Sequence, residues 1–85
     1  GLVAVVDALE QRGPVETGED VPADSYTSLV SEVPALGSVV AEVAGREPSA
    51  GAVASAVELV LEGLHLSKRL NKDAVGGRAQ YRTRG

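Results

Sequence analysis

Residues 57–73, VELVLEGLHLSKRLNKD, followed by AVGGRAQYRTRG at 74–85, decide how the fold of this 85-residue chain is read. Val53, Ala56, Val57 and Val60 stand at offsets 0, 3, 4 and 7, extended by Leu61 and Leu64, which is one apolar stripe of an α-helix. Ser49 is placed to cap the start of that helix. Lys68, Arg69 and Lys72 gather where a helix C-terminus favours positive charge. The spacing predicts one helix from Ala50 to Asn71, about 33 Å long at a rise of about 1.5 Å per residue. Gly76-Gly77 then predicts release of a mobile basic tail over 76–85, where only Tyr81 offers appreciable apolar area.

The same spacing recurs upstream. Leu2, Val5, Val6 and Leu9 carry it, then Tyr26, Leu29, Val30 and Val33, then Leu36, Val39, Val40 and Val43. Gly13-Pro14 ends the first of these helices, since Gly suits a C-terminal turn and Pro cannot continue the helix. Pro22 suits the first turn of the second helix, and Pro34 both breaks the chain after Val33 and opens the third. Gly45 stops the third helix. Helices are expected near 2–12, 22–33, 34–44 and 50–71. Val15-Glu16-Thr17 reads either as a short extended stretch or as a loop, and residues 14–21 are assigned to a loop because a single strand has nothing to pair with. The expected fold class is all-α: a small bundle of about four helices over residues 1–75, with a flexible basic C-terminal tail over 76–85.

Composition closes several function classes. The absence of Cys excludes disulfides, zinc-thiolate sites and thiol nucleophiles, and a lone His65 argues against a protein-only transition-metal site. Two Tyr with no Phe or Trp make no stacking platform for nucleic-acid bases. No apolar run approaches the roughly 18 residues of a membrane-spanning helix, and no basic n-region marks a signal peptide. The chain has no Met, and Gly1 runs directly into apolar residues, the pattern expected of a piece of a longer protein. Removal of an initiator Met gives the same start. Val5 stands where a myristoylation signal needs Ser or Thr.

Charge is divided unevenly. Residues 1–64 carry eleven acids against Arg12 and Arg46, a balance of -9, while residues 65–85 carry six bases against Asp73, a balance of +5. Such a dipole serves a partner or is satisfied internally. The candidate partner-contact residues are Lys68, Arg69, Lys72, Arg78, Tyr81, Arg82 and Arg84. Arg78, Arg82 and Arg84 with Tyr81 also suit phosphate contacts and a stack, but the acidic body repels a polyanion and three Arg make a thin footprint.

Catalytic constellations are not found. Gly45-Arg46 and Gly77-Arg78 lack the spaced upstream Gly of a phosphate-binding loop. Asn71-Lys72-Asp73 only echoes a guanine-specificity motif, with Lys and Asp adjacent where that motif separates them by one residue. No Ser lies in a G-x-S-x-G elbow. Glu58, Glu62 and His65 share a helix face at i, i+4 and i+7, which reads as a metal or acid–base cluster or as a solvated face with Glu62 bridging toward Arg69. The solvated face is the expectation, so no catalytic, metal-ligating or cofactor-binding residue is expected in this chain.

The run Val57-Glu58-Leu59-Val60-Leu61-Glu62-Gly63-Leu64-His65-Leu66-Ser67-Lys68-Arg69-Leu70-Asn71-Lys72-Asp73, most strongly from Val60 onward, resembles the C-terminal helix of bacterial AAA+ ATPases related to the magnesium chelatase I subunit, the MoxR and chelatase-like group. Asp20-Val21-Pro22-Ala23 with Tyr26, then Glu32-Val33-Pro34-Ala35-Leu36-Gly37, is similar to the stretch that precedes that helix. Leu2 to Glu16 resembles the segment before it, with Ala8-Leu9 where relatives often carry Trp-Phe. The resemblance implies a cytoplasmic ring-forming ATPase whose nucleotide machinery lies N-terminal to residue 1, so ATP and Mg belong to the parent and no cofactor to this chain. It implies as partners the rest of the parent, its ring neighbours and a protein with a von Willebrand factor A domain.

The expected function is therefore a non-catalytic C-terminal module for subunit assembly or partner contact. The alternative is a free-standing adaptor whose basic tail binds an acidic protein surface or nucleic acid.

Overall fold

Four helices form where the apolar stripes place them, and three strands form where none is expected. The computed structural model describes residues 1–84. Helix α1 spans Leu2–Arg12, strand β1 Val15–Gly18, α2 Ala23–Glu32, α3 Pro34–Ala44 and α4 Ala50–Leu66, followed by β2 Leu70–Val75 and β3 Arg78–Thr83. The all-α bundle is thus corrected to an α+β fold, in which the strands form one antiparallel sheet of order β1-β3-β2. The helices cover one face of it: α2 and α3 pack on α4, α4 on β2, and α1 on β3.

The stripes earn their burial. Val5, Leu9, Tyr26, Leu29, Val33, Leu36 and Val40 are buried with Val53, Ala56, Val57, Val60, Leu61 and Leu64 of α4. Leu2 and Val43, at the ends of their stripes, remain exposed. Pro34 opens α3 as expected. Ser49 caps α4, its hydroxyl accepting from the Ala52 N–H at 3.1 Å. The close approach of α2 and α3 needs Gly37, where a Cβ would stand 2.9 Å from the Val30 carbonyl oxygen.

The long fourth helix ends at Leu66 and not at Asn71. Lys68 turns into the left-handed region at φ 65°. Its N–H donates to the His65 carbonyl at 2.9 Å, while the Arg69 N–H reaches back to the Leu64 carbonyl at 2.8 Å. These two bonds make a Schellman stop, built here without the usual glycine. The turn sends Leu70 back into the core, where it is 2% exposed.

The expected tail is instead half of a hairpin. Gly76 and Gly77 take φ of 57° and 81°, the paired positive values of a two-residue type I′ turn. That turn pairs Val75 with Arg78 and Leu70 with Thr83, and makes β3 the central strand. Gly85, the last residue of the expected tail, lies outside the described residues. The loop assigned to 14–21 is likewise corrected, since β1 pairs Val15 with Tyr81 and Gly18 with Arg78. Its pairing partners lie sixty to sixty-six residues downstream, so no local pattern announces the pairing. Alternation sorts the sheet: Val15, Thr17, Leu70 and Tyr81 are buried against the helices, while Glu16, Asn71, Asp73, Arg78 and Arg82 face outward.

Candidate functional site

The seven candidate contact residues all fall in or beside the turn and hairpin that follow α4, and most are engaged within the chain. Lys68 and Arg69 form the exposed turn after α4, where Arg84 Nη1 donates to the Lys68 carbonyl at 2.9 Å. Arg78 opens β3 and reaches two carboxylates, Glu16 at 2.9 Å and Asp20 at 3.0 Å. The Asp20 and Glu16 bonds, in that order, raise the Arg78 guanidinium above its ordinary value. Arg82 pairs with Asp73 across the outer face of the sheet. Lys72 and Tyr81 face the helices.

These last two meet Glu62 of α4. Lys72 Nζ lies 2.5 Å from Glu62 Oε2, and the Tyr81 hydroxyl donates to the same oxygen at 3.2 Å. The ammonium also stands 5.5 Å from the Tyr81 ring centroid, within cation–π range. His65 meets that ring edge-on at 6.5 Å between centroids, and its Nδ1–H donates to the Leu70 carbonyl at 3.1 Å. Glu62 therefore bridges to Lys72 and Tyr81, not toward Arg69.

The titration of these groups follows from the contacts. The Lys72 hydrogen bond holds the Glu62 carboxyl below its ordinary range, against a smaller opposing effect of burial. Reciprocally, the Glu62 bond raises the Lys72 ammonium. Burial pushes the Tyr81 phenol up, with the Lys72 bond opposing. The cluster is a closed set of matched donors and acceptors. It offers no unpaired nucleophile or base aimed at a cavity, and no buried side-chain polar atom among the described residues lacks a partner.

Compared with protein-family models, curated proteins and solved structures, the chain shows no match. Among the described residues no group of three or more His, Asp or Glu is disposed to hold a metal ion. No described helix is long and apolar enough to cross a membrane.

What the sequence reading missed lies on the outer side of α4. Leu59 is 62% exposed and Leu66 73%, seven residues apart on one face with exposed Gly63 between them. A Cβ at Gly63 would meet nothing within 4 Å, so the glycine leaves the helix surface low there. Beside this strip an open groove of about 720 Å³ runs between α4 and the far half of the hairpin. Ser55, Glu58 and Leu59 line one wall, Ala74, Val75 and Ala79 the other, and Tyr81 closes its inner end. A signal for the strip was available: two Leu at i and i+7 lie off the buried stripe of a helix whose other positions are small or charged.

Proposed function

We propose that this chain is a non-catalytic module for protein contact, serving subunit assembly or partner recognition in a chelatase-like AAA+ ATPase of cytoplasmic location. The observation that carries the contact reading is the apolar strip Leu59, Gly63 and Leu66 on the outer face of α4. Large aliphatic side chains that remain wet on a helix already buried along its other face favour a partner that covers them. The closed polar cluster supports a non-catalytic role. The parent's identity rests on the resemblance of residues 57–73 and the segments before them. ATP and Mg chemistry belongs, on this reading, to the parent's nucleotide domain. A von Willebrand factor A domain protein and the neighbouring ring subunits are the partners it implies.

The adaptor reading is less favoured, because two of the three tail arginines, and Lys72 ahead of them, face acids of the same chain. Lys72 faces Glu62, Arg78 faces Glu16 and Asp20, and Arg82 faces Asp73. A phosphate or an acidic surface would have to displace these partners.

Two experiments test the proposal. A coding frame that continues upstream into a Walker A sequence supports the ATPase parent, and a start codon directly before Gly1 overturns it. In the full-length protein, the Leu59→Glu/Leu66→Glu pair is expected to lower ring assembly or partner capture in sedimentation velocity with ATP. Unchanged assembly and unchanged capture overturn the contact reading.

A further inference from the structure

The two outer edges of the sheet are closed to different degrees. In a two-residue hairpin the residues flanking the turn exchange both main-chain bonds, and bonded pairs then alternate along the ladder. Val75, Asp73 and Asn71 therefore bond to β3, while Leu70, Lys72 and Ala74 turn their N–H and C=O outward. By the same alternation Glu16 and Gly18 face outward on β1, as the bond from the Gly18 N–H to the Tyr26 hydroxyl at 3.1 Å requires. On β2 the Leu70 carbonyl is taken by His65, but the main-chain groups of Lys72 and Ala74 have no partner among the described residues.

An open edge is ordinarily guarded by charge, with Lys the common guard. Here the guard is withdrawn. The Lys72 side chain is drawn under the sheet to Glu62, and Asp73 is held by Arg82 on the opposite face. The far half of the strand carries only Ala74 and Val75, the latter 80% exposed. Beneath the edge lies the groove, with Leu59 on its wall.

We propose that the outer edge of β2 accepts an extended, basic segment of a partner protein as a fourth strand, bonded to the main chain of Lys72 and Ala74. Strand addition of this kind draws affinity from the backbone and specificity from alternate side chains. Side chains of the added strand on the Lys72 and Ala74 face point toward α4, where the central ones are apolar and seat against Leu59 and the flanking ones reach the acids of the groove. The charge of the segment follows from the groove. Glu19 and Glu58 line it without an ion-pair partner, whereas its two bases, Lys72 and Arg78, are already paired. The unbalanced sign is negative, and the strand that fits is positive.

This inference rests on the contact reading above, and its test separates the two. The probe is a synthetic amidated peptide, Thr-Lys-Thr-Val-Thr-Ile-Thr-Lys-Thr, whose Lys, Val and Ile share one face, titrated into the isotope-labelled chain, with a version carrying Glu for Lys as the charge control. Saturable NMR shifts are expected at Lys72, Ala74 and Leu59, with slowed amide exchange at Lys72 and Ala74 and weaker binding of the acidic version. Ala74→Pro removes an outward N–H and no bond to β3, a position where an edge strand tolerates proline. It is expected to keep the hairpin and weaken the peptide at least tenfold.

Equal binding by Ala74→Pro, shifts centred elsewhere, or no saturation by about 1 mM peptide overturn the proposal. If Ala74→Pro loses the dispersed spectrum of the folded chain, Leu59→Asp decides, since it alters the groove wall and leaves the hairpin intact. Concentration-dependent pairing of β2 edges between two copies, without peptide binding, overturns the stated occupant. If Leu59→Glu/Leu66→Glu lowers assembly while Ala74→Pro binds normally, the contact reading stands and strand addition falls. The converse result leaves strand addition standing and removes the role in assembly.

Discussion

The helical layer and the C-terminal hairpin enclose the same core from opposite sides, yet they are anchored differently. Val5, Leu36, Val57 and Leu61 have no exposed surface, and all four belong to helices. The hairpin commits only two large side chains to that core, Leu70 and Tyr81. Its remaining fastenings are polar: Glu62 with Lys72 and Tyr81, Arg78 with Glu16 and Asp20, Arg82 with Asp73. Aliphatic burial carries no charge to screen or titrate, whereas exposed ion pairs are screened by salt and lost when their acids are protonated. The hairpin is the part of the molecule that conditions can loosen, and it is also the part with an open edge.

The largest effects test that division directly. Leu61→Ala is expected to cost about 2–5 kcal/mol, and Tyr81→Ala a similar amount, measured by urea denaturation. The two should differ in native-state hydrogen exchange. Leu61→Ala should speed exchange throughout α4, while Tyr81→Ala should first expose Asn71 and Asp73, whose amides bond to β3. Equal effects on both regions in both variants would mean that the anchors are not separate.

Tyr81→Phe isolates the polar half of the tyrosine's role. It keeps the buried ring and removes the donor to Glu62, so a loss of about 1 kcal/mol is expected. A neutral result would assign the anchoring to the ring alone.

Lys68→Gly should move stability the other way. A left-handed conformation costs an L-residue about 1–2 kcal/mol, and glycine gives back about 0.5–1 kcal/mol in entropy, leaving a gain of about 0.5–1 kcal/mol. Destabilisation in thermal melts would show that the Lys68 side chain contributes more than its backbone costs.

The smallest effect is in pH. Glu62 titrates below its ordinary value in the folded chain, so its contribution is fully present above the usual glutamate range. It is lost as pH falls through the lowered folded value. Lys72, raised by the same contact, loses that contribution only as pH rises through its own raised value. Glu62→Gln is therefore expected to flatten the acid limb of a stability profile and leave the neutral plateau nearly level.

Much of the helical layer was legible because a helix is specified locally. Apolar residues at three- and four-residue spacing bury one face whatever lies opposite, so α1 and α3 begin and end where the stripes and the Gly and Pro signals place them. The hairpin had a local signal too. Gly76-Gly77 separates two six-residue runs in which Leu70, Lys72 and Ala74 face Ala79, Tyr81 and Thr83, which is the two-residue hairpin pattern. A continuous helix to Asn71 competes with it, since Leu66 through Leu70 holds no Gly or Pro. The site was less legible than the fold. The basic residues were recognised, but their partners were not, because Glu16, Asp20 and Glu62 come from elements distant in sequence.

By itself, then, the sequence determined four amphipathic helices, the capped start of the last one, and an acidic body ahead of a basic end. Tertiary structure alone decided that the hairpin signalled by Gly76-Gly77 would dock on the helices and pair with β1. Burying Leu70 and Tyr81 requires Lys68 to adopt a left-handed turn that its own preference opposes, and it requires Val15 to wait for a partner sixty-six residues downstream. Neither condition is met by any short stretch of chain. Both are met once the helical layer presents an apolar face on which Val15, Leu70 and Tyr81 of the sheet are buried together.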